Sequence, residues 1–89
     1  MADSPYIARN ITTGTTTTVK SGSGVLKAIT VNTTAAGAIT IYDNTAASST
    51  KIGTLKASVA EGTYEYNVSF DTGLTIVTAA ASDITVSYR

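Results

Sequence analysis

The triplet Asp71-Thr72-Gly73 is the part of the sequence whose residue types come closest to a catalytic motif. Acid proteolysis uses an aspartate followed by threonine and glycine, placed after hydrophobic residues. It needs two such loops, brought together so that their carboxylates share one proton. Retroviral-type proteases supply the second loop by dimerising, and in them the triplet lies early in a small all-β chain.

The position of the triplet in this chain argues against proteolysis. Only residues 74–89 follow Gly73, so the flap and the strands that support a protease site have no room after it. The sequence instead predicts a hairpin turn, in which Asp71 bonds backbone amides and Gly73 accepts a positive φ. Asp71 is therefore predicted to form a turn and not to catalyse.

The chain contains neither cysteine nor histidine. Their absence removes disulfides, thiolate chemistry, the usual zinc sites and the commonest general base. Asp43, Asp71 and Asp83 fall at predicted strand ends, but they do not form the dense acidic loop that calcium sites use. We therefore predict no catalytic residue, no metal and no cofactor, and we expect the protein not to be an enzyme.

The charge balance excludes two classes of partner. Six Lys and Arg residues match six Asp and Glu residues, and only 13% of the chain is charged, against about 25% in an average domain. Such a surface gives no electrostatic basis for binding nucleic acid or an anionic membrane. Residues 1–10 lack the apolar core of a signal peptide, and no apolar run is long enough to cross a bilayer. A soluble protein is expected.

Hydrophobic periodicity predicts an all-β chain. In "TYEYNVSF" and "SDITVSYR", large apolar residues alternate with polar ones, a period of two that places one face of each strand in a core. In "KIGTLKA", Gly53 marks a bulge that returns Ile52 and Leu55 to one face. In "GVLKAITVN", Lys27 interrupts a face made by Val25, Ile29 and Val31, which predicts a strand partly at a sheet edge.

About eight such short strands, spaced by 8 to 12 residues, predict an antiparallel β-sandwich of jelly-roll type. Residues 1–5 are predicted to be a flexible N-terminal arm, and residues 6–89 a single domain. The segment from Met1 to about Arg9 is predicted to become ordered on binding a neighbouring protein. Three of the tyrosines share predicted core faces, which leaves Tyr6 and Tyr42 as surface anchors. With Ile7 and Arg9, these two form the predicted set of contacts to a partner protein or a neighbouring subunit.

Residues 24–89 resemble the small all-β virion proteins of tailed bacteriophages. The resemblance lies in "GVLKAITVNTTAAGAITIYDNTAASSTKIGTL" and in "YNVSFDTGLTIVTAAASDITVSYR", where "FDTGL" is followed by "ITVSY". It implies a protein made in the host cytoplasm that binds the major capsid protein, or another virion protein, on the outer capsid surface as a decoration or cement protein. The alternative is a receptor- or carbohydrate-binding module of a fibre or tail tip, which would use Tyr6, Tyr42 and loop 43–50.

Chain length predicts self-association. A domain of 89 residues buries only about 60 to 70% of the surface that its unfolded chain exposes. Without cysteine, burial between copies is the remaining source of stability, and a neutral surface opposes it little. The resemblance implies three copies, because phage surface proteins of this kind often sit on local three-fold axes. We therefore expect a homotrimer.

Overall fold

The computed structural model describes residues 5–89, and in that range it contains eight β-strands and no helix. The strands follow one another at short intervals, as the spacing of the turn residues predicts. Their bounds are β1 Ile7–Ile11, β2 Thr16–Ser21, β3 Gly24–Thr33, β4 Ile39–Tyr42, β5 Lys51–Leu55, β6 Gly62–Phe70, β7 Gly73–Thr78 and β8 Asp83–Tyr88.

The eight strands form two four-stranded sheets in which every pairing is antiparallel. The first sheet has the order β1-β8-β3-β6 and the second has the order β2-β7-β4-β5. Most consecutive strands therefore change sheet, which is the strand order of a jelly roll. The domain is only 18 Å thick along its shortest axis, as expected for two sheets packed face to face. The predicted antiparallel sandwich of about eight strands is confirmed.

The core lies between the two sheets and follows the predicted alternation. In β4, β7 and β8, the apolar residues at every second position are fully buried, because these strands have a neighbour on both sides. They are Ile39, Ile41, Leu74, Ile76, Ile84 and Val86. In β6, an edge strand, Phe70 is buried, whereas Tyr64, Tyr66 and Val68 are only partly buried against the core.

Strand β3 departs from its prediction. It lies between β8 and β6, so it is a central strand and not an edge. Its buried residues include Leu26, Ile29 and Val31, while Val25 is only partly covered. The register of β3 shifts at Lys27 against both neighbours, and this irregularity changes which face the following residues occupy. Lys27 therefore marks a bulge inside the sheet and does not protect an edge.

The bulge predicted in β5 is present. Ile41 pairs with Gly53 and Tyr42 pairs with Lys51, which leaves Ile52 as the extra residue. Leu55 is buried and Ile52 packs partly against the core, so the irregularity brings both residues to the inner side. This confirms the predicted role of the Gly53 segment.

The predicted N-terminal arm falls outside the described residues except for Pro5, which is exposed. Within residues 5–89 there is no helix long and apolar enough to cross a membrane.

Candidate functional site

Strand β1 forms an edge of the first sheet and has one neighbour, β8. Arg89 and Val25 exchange two backbone hydrogen bonds, of 2.9 and 2.8 Å, so the N–H and C=O of Arg89 point toward β3. Successive residues of a strand direct their N–H and C=O groups to opposite sides. The N–H and C=O of Tyr88 therefore point toward Ile7, its partner in β1. It follows that Ala8 and Asn10 direct their N–H and C=O groups away from the sheet.

The β1 edge differs from the other three sheet edges in its regularity. Its five pairs with β8 run from Ile7–Tyr88 to Ile11–Ile84 without a register shift. In contrast, the pairings of β2, β5 and β6 are each interrupted by a shift, and β2 and β5 also carry lysine. Bulges and charged side chains, lysine above all, are means by which proteins prevent an edge from pairing with another chain. Within residues 5–89, β1 is the edge that has neither a bulge nor a lysine, and the charge that it carries is that of Arg9.

The side chains of β1 add an apolar and a charged group to this edge. Ile7 is 58% exposed and is the one large hydrophobic residue exposed in the described part of the chain. Arg9 is also exposed, whereas Ile11, on the same face of the strand, is 4% exposed and belongs to the core. The inner face of β1 is therefore covered at its C-terminal end and open at Ile7 and Arg9.

The predicted contact residues divide into two places. Tyr6, Ile7 and Arg9 lie together at β1, and the guanidinium carbon of Arg89 lies 5.8 Å from the centroid of the Tyr6 ring, within cation–π range. Tyr42 lies in β4 of the other sheet, on its outer face, and is partly exposed. The structure thus joins three of the four residues and separates Tyr42 from them.

Loop 43–50, the predicted binding loop of the alternative function, packs against the outer face of the second sheet. The Thr75 hydroxyl donates to the Asn44 carbonyl at 2.7 Å, and the Thr18 hydroxyl donates to the Thr45 carbonyl at 3.1 Å. These contacts help to bury Thr75 on a face that would otherwise meet solvent. Residues 46–50, the rest of the loop, are exposed.

The turn at Asp71 exists, but it is not the predicted hairpin, because β6 and β7 belong to different sheets and do not pair. The roles predicted within the turn are also wrong. The carboxylate that binds the turn amides is Asp43, which accepts from the N–H groups of Asp71 at 3.0 Å, Thr72 at 2.9 Å and Gly73 at 3.4 Å. Gly73 has no positive φ. Glycine is needed there for space, because a Cβ atom would lie 2.9 Å from the Lys20 carbonyl oxygen.

These amides lower the pKa of the Asp43 carboxyl, with the largest effect from Thr72, followed by Asp71; partial burial opposes them. Asp83 lies elsewhere, where its carboxylate accepts hydrogen bonds from the side-chain amides of Asn10 at 2.7 Å and Asn32 at 3.2 Å. Within residues 5–89, no group of acidic side chains is arranged to hold a metal ion, and the surface contains no pocket.

The binding of the turn amides by Asp43 could not be predicted from the sequence, because those amides lie 28 to 30 residues further along the chain. An aspartate at a strand end is compatible with many local turns, and nothing beside it in the sequence points to a distant one.

Comparison with known proteins adds no relative: no protein-family model, no curated protein and no solved structure matches the chain.

Proposed function

We propose that this chain is a non-enzymatic structural protein of a tailed-phage virion, which binds the outer capsid surface as a decoration or cement protein. The resemblance of residues 24–89 to such proteins supplies the biological setting. The structural observation that carries the binding role is the β1 edge, which is regular, free of lysine and next to the exposed Ile7. Proteins seldom leave such an edge uncovered unless it receives a partner.

The β1 edge suggests how a partner binds. An extended segment of the capsid protein adds to the sheet as a further strand, and main-chain hydrogen bonds to Ala8 and Asn10 hold it. Alternate side chains of that segment then meet Ile7 and Arg9, which favours an apolar residue and an acidic residue two positions apart. Tyr6, held beside Arg89, extends the contact at one end.

Self-association belongs to the same proposal. The capsid-bound form is a homotrimer, in which contacts between copies add buried area to a small core. Analytical ultracentrifugation at micromolar concentration measures this directly. A single monomeric species that also melts cooperatively above about 60 °C, the upper end of the usual mesophilic range, would contradict the trimer and the stability argument for it.

A second candidate function rests on Tyr42. Tyr42 is partly exposed on the outer face of the second sheet, pairs with Lys51 of β5 and lies close in sequence to exposed residues 46–50. An aromatic face beside polar loop residues is a suitable platform for a sugar ring. This arrangement favours a receptor- or carbohydrate-binding module at a fibre or tail tip.

Two charge reversals separate the candidates. Arg9→Glu and Lys51→Glu make the same change of charge on edge strands of different sheets, and each variant is mixed with virions that lack the chain and then sedimented. We expect Arg9→Glu to abolish co-sedimentation and Lys51→Glu to retain it. The opposite result would contradict the β1 contact and favour Tyr42. Gel densitometry gives an independent measure, since a cement protein is present in many copies and a fibre tip in few.

A further inference from the structure

Three polar side chains meet on the outer face of the first sheet, where β3 lies beside β6. Lys27 Nζ is 2.9 Å from the side-chain oxygen of Asn67 and 3.5 Å from Glu65 Oε1. The same Glu65 oxygen accepts a hydrogen bond of 3.2 Å from the side-chain nitrogen of Asn67. One carboxylate oxygen therefore contacts both the lysine nitrogen and the amide nitrogen.

Irregularities in two strands produce this cluster. Leu26 pairs with Val68 and Ala28 pairs with Glu65, so Lys27 faces two residues of β6, one of which is Asn67. Against β8, Lys27 is itself the extra residue. Asn67 has a φ of 52°, in the left-handed region that few residue types other than glycine tolerate. Bulges of this kind re-aim side chains, and here they direct the lysine at the asparagine.

We propose that Lys27 and Asn67 join in an intramolecular isopeptide bond, with Glu65 as the proton carrier. The lysine nitrogen, in its neutral form, attacks Cγ of Asn67, and its proton passes to the Glu65 carboxylate. The tetrahedral intermediate then collapses, the bond from Cγ to the amide nitrogen breaks, and Glu65 returns the proton to that nitrogen. One C–N bond forms, one breaks and ammonia leaves, so no oxidant, reductant or co-substrate is needed.

Solvent access makes this reaction slow. The side chains of Lys27 and Glu65 are 35% and 61% exposed, and water stabilises the ammonium form of lysine, which has no lone pair with which to attack. Their ion pair, the one salt bridge within residues 5–89, also favours that form. Proximity and orientation oppose these effects, since both reacting groups are held in contact in the folded chain. The bond is therefore expected to accumulate after folding.

The cross-link would serve this chain in a specific way. It joins residues 40 apart in sequence, and it ties β6, an edge strand, to the central strand β3. Closing a loop of that length restricts the unfolded chain, as a disulfide would, in a protein that has no cysteine. This inference does not rest on the proposed capsid role and can succeed or fail separately from it.

Intact-mass spectrometry of the full chain tests the bond, using protein that is fresh and protein incubated at mildly alkaline pH. We expect a species lighter than the sequence mass by one ammonia, increasing with time, and a tryptic peptide that contains Lys27 and Asn67 and is not cleaved after Lys27. A mass that stays at the sequence value after prolonged incubation would overturn the proposal.

Variants distinguish the isopeptide from ammonia loss by asparagine cyclisation, which needs no lysine. Lys27→Arg keeps the positive charge but cannot form the amide, so the mass of this variant must be the same before and after incubation. Glu65→Gln must slow the loss of ammonia at least tenfold. The control Lys51→Arg changes a lysine outside the cluster and must convert as the wild type does. Ammonia loss that persists in Lys27→Arg, or a rate unaffected by Glu65→Gln, would refute the mechanism.

Discussion

Two isoleucines on the same face of β1 provide a matched test of the β1 edge. Ile11 is 4% exposed and packs in the core, whereas Ile7, four residues earlier, is 58% exposed. Both direct their backbone groups toward β8, so replacing either residue by alanine leaves the strand pairing in place. The two substitutions therefore differ mainly in what the side chain contacts.

The expected losses of stability follow from burial. Truncating a buried isoleucine to alanine costs about 2–5 kcal/mol, a large part of the roughly 4–13 kcal/mol that a domain of this length has. Less than half of the surface of Ile7 is covered by the rest of the domain. Full burial of an isoleucine contributes only about 1.5–3 kcal/mol. Ile7→Ala should therefore cost only about 0.6–1.3 kcal/mol, below the loss expected at Ile11.

Two measurements are needed for each variant. Urea unfolding followed by far-UV circular dichroism gives the free energy of unfolding, and co-sedimentation with virions that lack the chain gives binding. We expect Ile11→Ala to be strongly destabilised. Ile7→Ala should remain close to the wild type in stability and lose most of its binding, because the proposed contact uses the exposed apolar surface of Ile7.

Either measurement can refute the reasoning. Equal destabilisation by the two substitutions would show that Ile7 is covered within the isolated domain, so that the β1 edge is not open. Wild-type binding by a stable Ile7→Ala variant would show that the partner contacts another surface.

Further predictions concern the turn and the arm. Asp43→Ala should be less stable than the wild type at neutral pH. Since the folded pKa of Asp43 lies below its unfolded value, this stabilisation is present above about pH 4 and is lost at lower pH, where thermal melts of the two proteins should converge. Asp71→Asn should leave every functional readout intact and change the melting temperature less than Asp43→Ala does. A larger change would show that the Asp71 side chain, and not that of Asp43, is the main stabilising group of the turn. Gly73→Ala should cost about 1–3 kcal/mol by overpacking, measured by urea unfolding. Gly22→Ala, at a φ of 98° with nothing within 4 Å, should cost only the backbone strain of about 1 kcal/mol, and a larger loss there would disagree. Deleting residues 1–5 should lower capsid occupancy without changing the melting temperature, since β1 begins after them; unchanged occupancy would count against a binding role for the arm.

The sequence by itself determined the fold class and most of the core. Strand preference and the period-two pattern depend on residues next to one another, so they can be read without knowing what lies opposite. Phe70 in "TYEYNVSF", and Ile84 with Val86 in "SDITVSYR", were placed correctly for this reason. The bulge near Gly53 was also predictable, because Ile52 and Leu55 are three residues apart and a regular strand places only residues an even number apart on the same face.

Tertiary structure decided the features that depend on distant partners. The face of β3 changes at Lys27 because the register against β6 and β8 shifts there, and neither neighbour can be identified from residues 24–33 alone. Asp43 acquires its amides from a turn 28 residues away. Contacts of this kind follow from how the strands are ordered in the sheets, which local periodicity does not specify.

The two surfaces with proposed roles illustrate the same division. The sequence predicted Ile7 and Arg9 as surface contacts, but only sheet order made β1 an edge and left Ile7 exposed. The cluster of Lys27, Glu65 and Asn67 had no signal in the sequence, since its members are up to 40 residues apart. It exists because antiparallel pairing brings β3 beside β6 and two bulges turn a lysine toward an asparagine.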